Sequence, residues 1–325
     1  MLDLRFEGMG SDLRIVLEAG AGLGAREEEA AARVRRFLER LEACLTRFRS
    51  DSELCALNAD PRDAVPVSPL LRAGVEAGLW AARRTEGLVD PTLVGELERC
   101  GYAHSRIGDT PPSLTEALRA APARRAARPA AAATWKTVRV DRAGGVVHRP
   151  PGVRIDTGGT GKGLAADLAA RMLTGAERYA IDCGGDLRVG TATGAAAHAV
   201  EVAHPVTGEI VHRLSLRDGA VATSGLNVRV WRNADGGFGH HLLDPATGEP
   251  AWTGLIGATA LGATALEAET LAKAALLSGP VEGRRVLAQR GGVLVHDDGD
   301  IELAGPLRRP VLRVSRSALL PKAAA

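Results

Sequence analysis

Two periodicities run through the apolar positions of this chain. At the start, LDLRFEG and DLRIVLEA alternate apolar and polar residues and predict two strands joined by a tight turn at Met9-Gly10-Ser11. Ala30, Val34, Leu38, Leu41 and Leu45 then recur at helical spacing and predict a long amphipathic helix over 26–48. Asp51-Ser52-Glu53 reads as the cap of a short helix carrying Leu54 and Leu57. Ser68-Pro69 places serine at the cap and proline at the first helical position, predicting a helix that runs to about Arg84. Gly87 ends that helix and Asp90-Pro91-Thr92 starts another. The stretch APARRAARPAAAA from Ala121 is low in complexity and broken by prolines, as expected of a linker or surface excursion.

Short β-type segments dominate the second half: KTVRVD, GGVVHRP, YAID, AVEVAHP, IVHRLSL, AVATS, VRVWR, LIGATAL and GVLVHD. Helices are predicted over 160–173 and 265–278. Strands in hairpin-like spacing mixed with long helices indicate an α+β fold. The implied organisation is an N-terminal α+β part over 1–120, a linker or loop over 121–134, a C-terminal α+β part over 135–310 and a tail over 311–325.

Composition excludes several functions. With 325 residues and 45% apolar content, the chain can bury a sizeable core. Forty-one basic and 39 acidic residues nearly cancel, which argues against a nucleic-acid binder, and 3% aromatics leave little for base stacking. No apolar run reaches the roughly 18–20 residues of a membrane span. The opening MLDLRFEGMG lacks the features of a secretory signal. The cysteines at 44, 55, 100 and 183 form no C-x-x-C pair, so a reduced cytoplasmic protein is expected. Only four of the 41 basic residues are lysines, so a lysine here is a marked choice.

Five motifs can carry chemistry. Asp156-Thr157-Gly158-Gly159-Thr160-Gly161-Lys162-Gly163 runs into a helix whose free N–H groups favour an anion such as a pyrophosphate. It is not a Walker A loop, because neither the glycine spacing nor the residue after Lys162 fits. Ile181-Asp182-Cys183-Gly184-Gly185-Asp186 and Ala222-Thr223-Ser224-Gly225 are strand ends with small residues, and each alone is as readily an ordinary turn. His240-His241 precedes the turn Asp244-Pro245-Ala246-Thr247-Gly248; adjacent strand residues face opposite ways, so one imidazole at most faces a given pocket. A near-neutral imidazole suits activation of a hydroxyl nucleophile. Glu269 and Lys273 share a helix face among apolar neighbours, which is either a solvated pair or, if buried, a site.

In this order the motifs resemble the ApbE-type FAD:protein FMN transferases. The resemblance begins at Met9-Gly10 and takes in RFRSDSELCALN, GLVDPTLVGELERCGY, DTGGTGKGLAAD, DCGGDL, ATSG, HLLDPATG and AETLAKAALLSG. It implies a T-fold-related α+β scaffold of mainly antiparallel sheets with packed helices and an FAD cleft. It implies transfer of FMN from FAD to a Thr or Ser hydroxyl of an acceptor protein, with release of AMP and assistance from Mg²⁺. Met9, Phe48, Asp90, Asp156, Lys162 and Leu243 would then contact FAD, and His241 would act as base for the acceptor hydroxyl. Gly159, through its carbonyl, and Glu269 would hold the metal. Lys273 departs from the family pattern, which has Thr there as an oxygen donor; an ammonium has no acceptor for a cation. Either Lys273 takes over part of the metal's role in catalysis or transfer has been lost and the chain binds FAD without turnover. An FAD pyrophosphatase giving FMN and AMP is the third reading.

Overall fold

The computed structural model describes residues 1–20, 26–233 and 236–307. The 311–325 tail expected from the sequence therefore lies outside the described residues.

The opening hairpin forms as its alternation predicts. Strand β1 (Leu2–Gly8) pairs antiparallel with β2 (Ser11–Glu18), and Gly8 lies opposite Ser11. That register leaves a two-residue loop, in which both residues turn left-handed: Met9 at φ 53° and Gly10 at φ 69°. Glycine adopts this freely, whereas Met9 takes it at a cost of about 1–2 kcal/mol. Leu13, Ile15 and Leu17 point inward and are at most 2% exposed. Each such burial contributes about 2 kcal/mol.

The remaining strands are β3 (Ala64–Pro66), β4 (Arg139–Asp141), β5 (Val146–His148), β6 (Arg178–Cys183), β7 (Asp186–Thr191), β8 (His198–Ala203), β9 (Ile210–Leu216) and β10 (Gly219–Gly225). After them come β11 (Val230–Arg232), β12 (Phe238–His240), β13 (Leu243–Asp244), β14 (Glu249–Pro250), β15 (Leu255–Gly262), β16 (Gly292–His296) and β17 (Ile301–Ala304). Eight of them form one sheet in the order β1-β2-β6-β7-β10-β15-β16-β17, with every neighbouring pair antiparallel. Strands from both halves of the sequence therefore share a single sheet.

Helices cover one face. They are α1 (Glu27–Leu45), α2 (Glu53–Ala59), α3 (Pro69–Arg84), α4 (Val94–Arg99), α5 (Leu114–Ala120), α6 (Gly161–Arg171) and α7 (Ala265–Leu287). Ser52 and Ser68 cap α2 and α3 by accepting from Cys55 N and Leu71 N, as the sequence predicts. Asp90-Pro91-Thr92 instead forms a turn, with Asp90 Oδ1 accepting from both Thr92 N and Thr92 Oγ1, and the helix starts later at Val94. Along β10, Ala220 and Ala222 face the helix side while Val221 faces the β8–β9 ribbon, as the period-two pleat requires.

Helix α7 runs past the predicted end at Ser278 through a kink at Gly279 (φ 74°, ψ 179°) and Pro280. Proline lacks the N–H that would bond the carbonyl four residues back. That carbonyl, Leu276 O, accepts instead from Thr253 Oγ1 at 2.6 Å, and Leu277 O accepts from Ala127 N at 2.8 Å. The alanine-arginine stretch is thus an irregular surface excursion tied to the core, with further bonds from Arg125 N to Trp252 O and from Arg128 N to Asp244 Oδ1. Among the described residues no helix is long and apolar enough to cross a membrane.

Candidate functional site

The glycine loop is held from three sides. Asn58 on α2 exchanges two hydrogen bonds with the backbone of Ile155, accepting from its N–H at 2.7 Å and donating to its carbonyl at 2.8 Å. Thr157 Oγ1 donates to Leu45 O at the end of α1 at 2.9 Å, and Asp156 N donates to Pro91 O in the Asp90 turn at 2.8 Å. These contacts account for the asparagine, the threonine and the Asp-Pro-Thr turn in three of the sequence blocks, and they fix where α6 begins.

Helices α6 and α7 meet unusually closely at Gly163. A Cβ there would stand 2.6 Å from Ala265 O, so only glycine permits the approach. The proximity lets Gly163 N donate to Glu269 Oε2 at 2.9 Å. Asp167 on α6 accepts from Ala265 N and Leu266 N at 2.8 and 2.9 Å, capping α7 from outside its own sequence. Glu269 is 2% exposed, and α7 is buried on most sides. The Glu269–Lys273 pair is therefore buried, not a solvated surface pair.

Two ammonium groups face two buried carboxylates. Lys273 Nζ lies 3.6 Å from Glu269 Oε1, and Lys162 Nζ lies 3.3 Å from Asp186 Oδ2 while donating to Gly184 O at 3.1 Å. Both carboxylate oxygens are buried and lack an aligned hydrogen bond, so the ammonium charges are what compensate them. Burial works against the charge of Lys162, but Asp186 and Glu269 outweigh it and raise its pKa. Burial, with Asp186 nearby, pushes the Glu269 carboxyl up against the opposing pull of Lys273 and Lys162.

The two imidazoles separate as their parity requires. His240 is fully buried, edge-on to Trp252 at 4.6 Å, and accepts from Leu242 N through Nδ1. His241 faces the cleft. It keeps some surface there although protein surrounds it deeply, and burial, then the charges of His240, Lys273 and Lys162, hold its pKa well below 6.5. The ring is hydrogen-bonded to the Arg229 backbone, and Nδ1 is buried without a partner. A neutral imidazole can accept a proton.

These groups converge on two adjoining chambers of about 190 and 410 Å³. Asp90, Gly159, Leu243, Glu269 and Lys273 line the first, and Met9 lines the second. Phe48, Asp156, Lys162 and His241 line both. All ten residues singled out from the sequence thus border one cleft. Arg47, Tyr102 and Asp186 border it too and were not singled out. Arg47 pairs with Asp156 at 3.6 Å and lies over the rings of Phe48 and Tyr102 at 4.2 and 4.7 Å. Tyr102 in turn stacks on Trp231 at 5.4 Å. All three lie inside blocks noted in the sequence, but their partners are remote and no local pattern marks them; the scarce signal for Asp186 was its place after two glycines.

A model of the ApbE family matches residues 9–295. The chain belongs to the ApbE family. An FAD:protein FMN transferase of Treponema pallidum is 30% identical over 274 residues, covering 79% of this chain and 73% of that protein. One from Rhodobacter capsulatus is 32% identical over 257 residues, covering 77% of this chain and 47% of that longer protein. The crystal structure of an ApbE protein from Thermotoga maritima superposes with a TM-score of 0.76 at 27% identity, covering 93% of this chain and 96% of that one. The α+β, mainly antiparallel scaffold expected of the ApbE family is the one observed.

The Mg²⁺ implied by the ApbE resemblance does not suit the side chains present. The Lys273 ammonium already stands beside Glu269 Oε1, and its Cε would lie 3.8 Å from a Cβ on Gly159. Lys273 thus lies close to both expected ligands. A Mg²⁺ at its usual ~2.1 Å from that oxygen would stand within about 6 Å of the ammonium, a repulsion on the order of 5 kcal/mol at an effective dielectric of ~20.

Proposed function

We propose that this chain transfers FMN from FAD to a Thr or Ser hydroxyl of an acceptor protein and releases AMP. The observation that carries the reading is the convergence of the glycine loop, Lys162, Lys273 and His241 on the same cleft as Phe48 and Tyr102. Membership of the ApbE family and relatives named FAD:protein FMN transferase support it.

In this reading the flavin lies in the larger chamber against Met9, Phe48 and Tyr102, and the diphosphate lies at the start of α6 beside Lys162 and Lys273, since Gly161 N and Gly163 N already donate to Thr157 O and Glu269 Oε2. Asp90, Asp156 and Leu243 shape the walls of the FAD site. The acceptor oxygen attacks the FMN phosphorus, forming one P–O bond. The P–O bond to the AMP phosphate breaks, and AMP leaves with its electron pair. The hydroxyl proton passes to the His241 imidazole, which borders both chambers. Most of the acceleration comes from positioning and charge neutralisation, as in other phosphoryl transfers. Four free cysteines support a reducing, cytoplasmic setting for the acceptor.

The test is incubation of the protein with FAD and acceptor, followed by intact-mass analysis of the acceptor and chromatography of the nucleotides. One FMN added per acceptor with an equal yield of AMP is expected. Free FMN and AMP beside unmodified acceptor would make the protein a pyrophosphatase, and unchanged FAD would make it a binder.

A further inference from the structure

We infer, resting on the transferase reading, that Lys273 and Lys162 replace the divalent cation, so that this chain holds and neutralises the FAD diphosphate with two fixed ammonium groups. Three observations carry this. Lys273 approaches Glu269 and Gly159, the two residues expected to hold a metal. Lys162 approaches Asp186 and Gly184 on the neighbouring strand ends. Both lysines line the same chamber as His241.

Without substrate, the ammonium groups of Lys162 and Lys273 offset the carboxylates of Asp186 and Glu269, and a bound diphosphate shares the two ammonium groups with those carboxylates. Each ammonium has three donors, and its carboxylate contact leaves room for diphosphate oxygens. Lys273 is carried by a buried helix capped by Thr264 and Asp167, so its position is set before substrate enters. In the transfer step the oxygen of the departing AMP phosphate gains negative charge as its bond to the FMN phosphorus breaks. Lys273 meets that charge as a donor, and no other co-reactant enters. The two lysines stand out in a chain that uses arginine for nearly all its other positive charges. A compact ammonium fits the space of a small cation where a guanidinium fork does not.

Isothermal titration of FAD into the full chain tests this, once in EDTA and once in Mg²⁺, alongside titration of Mg²⁺ alone. FAD affinity within twofold in the two buffers, with no heat from Mg²⁺ alone, is expected. Lys273→Thr and Lys273→Met should each weaken FAD binding in EDTA by roughly tenfold to a hundredfold, the range of a charge-assisted contact. Lys273→Thr alone should recover affinity when Mg²⁺ is added, because its hydroxyl oxygen can ligate. In the acceptor assay the parent should release AMP at the same rate in either buffer. Binding and transfer by the parent that require Mg²⁺ would overturn the inference and leave the transferase reading standing. FAD that binds in neither buffer would refute the transferase reading and the inference with it.

Discussion

Substituting Gly163 by alanine probes the contact on which the geometry of the cleft depends. The added methyl would meet Ala265 O at 2.6 Å, Ala265 C at 2.7 Å and Leu266 N at 2.8 Å, all of them backbone atoms that no rotamer change can move aside. Ordinary contact would require α6 and α7 to separate by roughly 0.8 Å, a forced overpacking that typically costs about 1–3 kcal/mol. The same separation stretches the 2.9 Å bond from Gly163 N to Glu269 Oε2 and the two Asp167 bonds to the start of α7. Loss of one bond to a buried carboxylate adds about 1.5–3 kcal/mol. The higher helix propensity of alanine returns about 1 kcal/mol, leaving a net loss of about 3 kcal/mol. A displacement near 1 Å at a reacting centre also costs about a hundredfold in rate. Urea denaturation and the rate of FMN transfer measure the two effects. Gly95→Ala is the control, since its nearest neighbours are arginine tips at 3.8 Å, and it should gain about 0.5–1 kcal/mol. A Gly163→Ala protein as stable and as active as the parent would refute the reasoning.

Three further outcomes follow from single features. Met9→Ala keeps the left-handed backbone strain and Met9→Gly releases it, so the glycine variant should be about 1 kcal/mol more stable than the alanine variant by chemical denaturation, while both bind FAD more weakly. Asp186→Asn leaves Lys162 without its close carboxylate and should cost about 2–3 kcal/mol, discounted for the partial exposure of Lys162; a double-mutant cycle with Lys162→Met should recover at least about 1 kcal/mol. Burial depresses His240 to about 3 against an ordinary 6.5, partly offset by the polar Ala251 backbone nearby. The unfolded chain therefore takes up a proton below pH 6.5 that the folded chain refuses, so stability falls as pH drops from 6.5 towards 3, by an amount on the order of 4 kcal/mol. His240→Phe keeps the ring against Trp252 but loses the bond from Leu242 N, so it should be less stable than the parent at pH 8 and more stable at pH 4. Parallel stability curves for the two proteins would contradict this.

What the sequence made legible was local. The period-two strands, the serine caps, the helical stripe of α1 and the parity of His240 and His241 are all written within a few residues of each other. The ten residues that line the cleft were reachable because they sit in ordered blocks. Long-range compensation was hidden. Helix α7 passes the Pro280 kink because Thr253 and Ala127, distant in sequence, satisfy the carbonyls that proline frees. Arg47 and Tyr102 join the cleft through an ion pair and ring contacts that no spacing announces. Strand β7 was passed over because DLRVGT lacks clear alternation, and the central position of this strand in the sheet is fixed by its pairing with β6 and β10. Helix α5 did carry a signal, Ser113 followed three residues later by Glu116, although the serine makes no capping bond. The first residues of KTVRVD were expected in a strand but close a short 3₁₀ turn over Thr134–Thr137, leaving only Arg139–Asp141 in the paired strand.

A crystal structure of the full chain with FAD, grown in EDTA, would test the central claim most directly. The account predicts diphosphate density within hydrogen-bond distance of Lys273 Nζ and Lys162 Nζ at the start of α6, with the flavin ring against Phe48 and Tyr102. FAD bound away from α6, or a diphosphate that leaves both lysines on their carboxylates and orders only when a divalent metal is supplied, would contradict it.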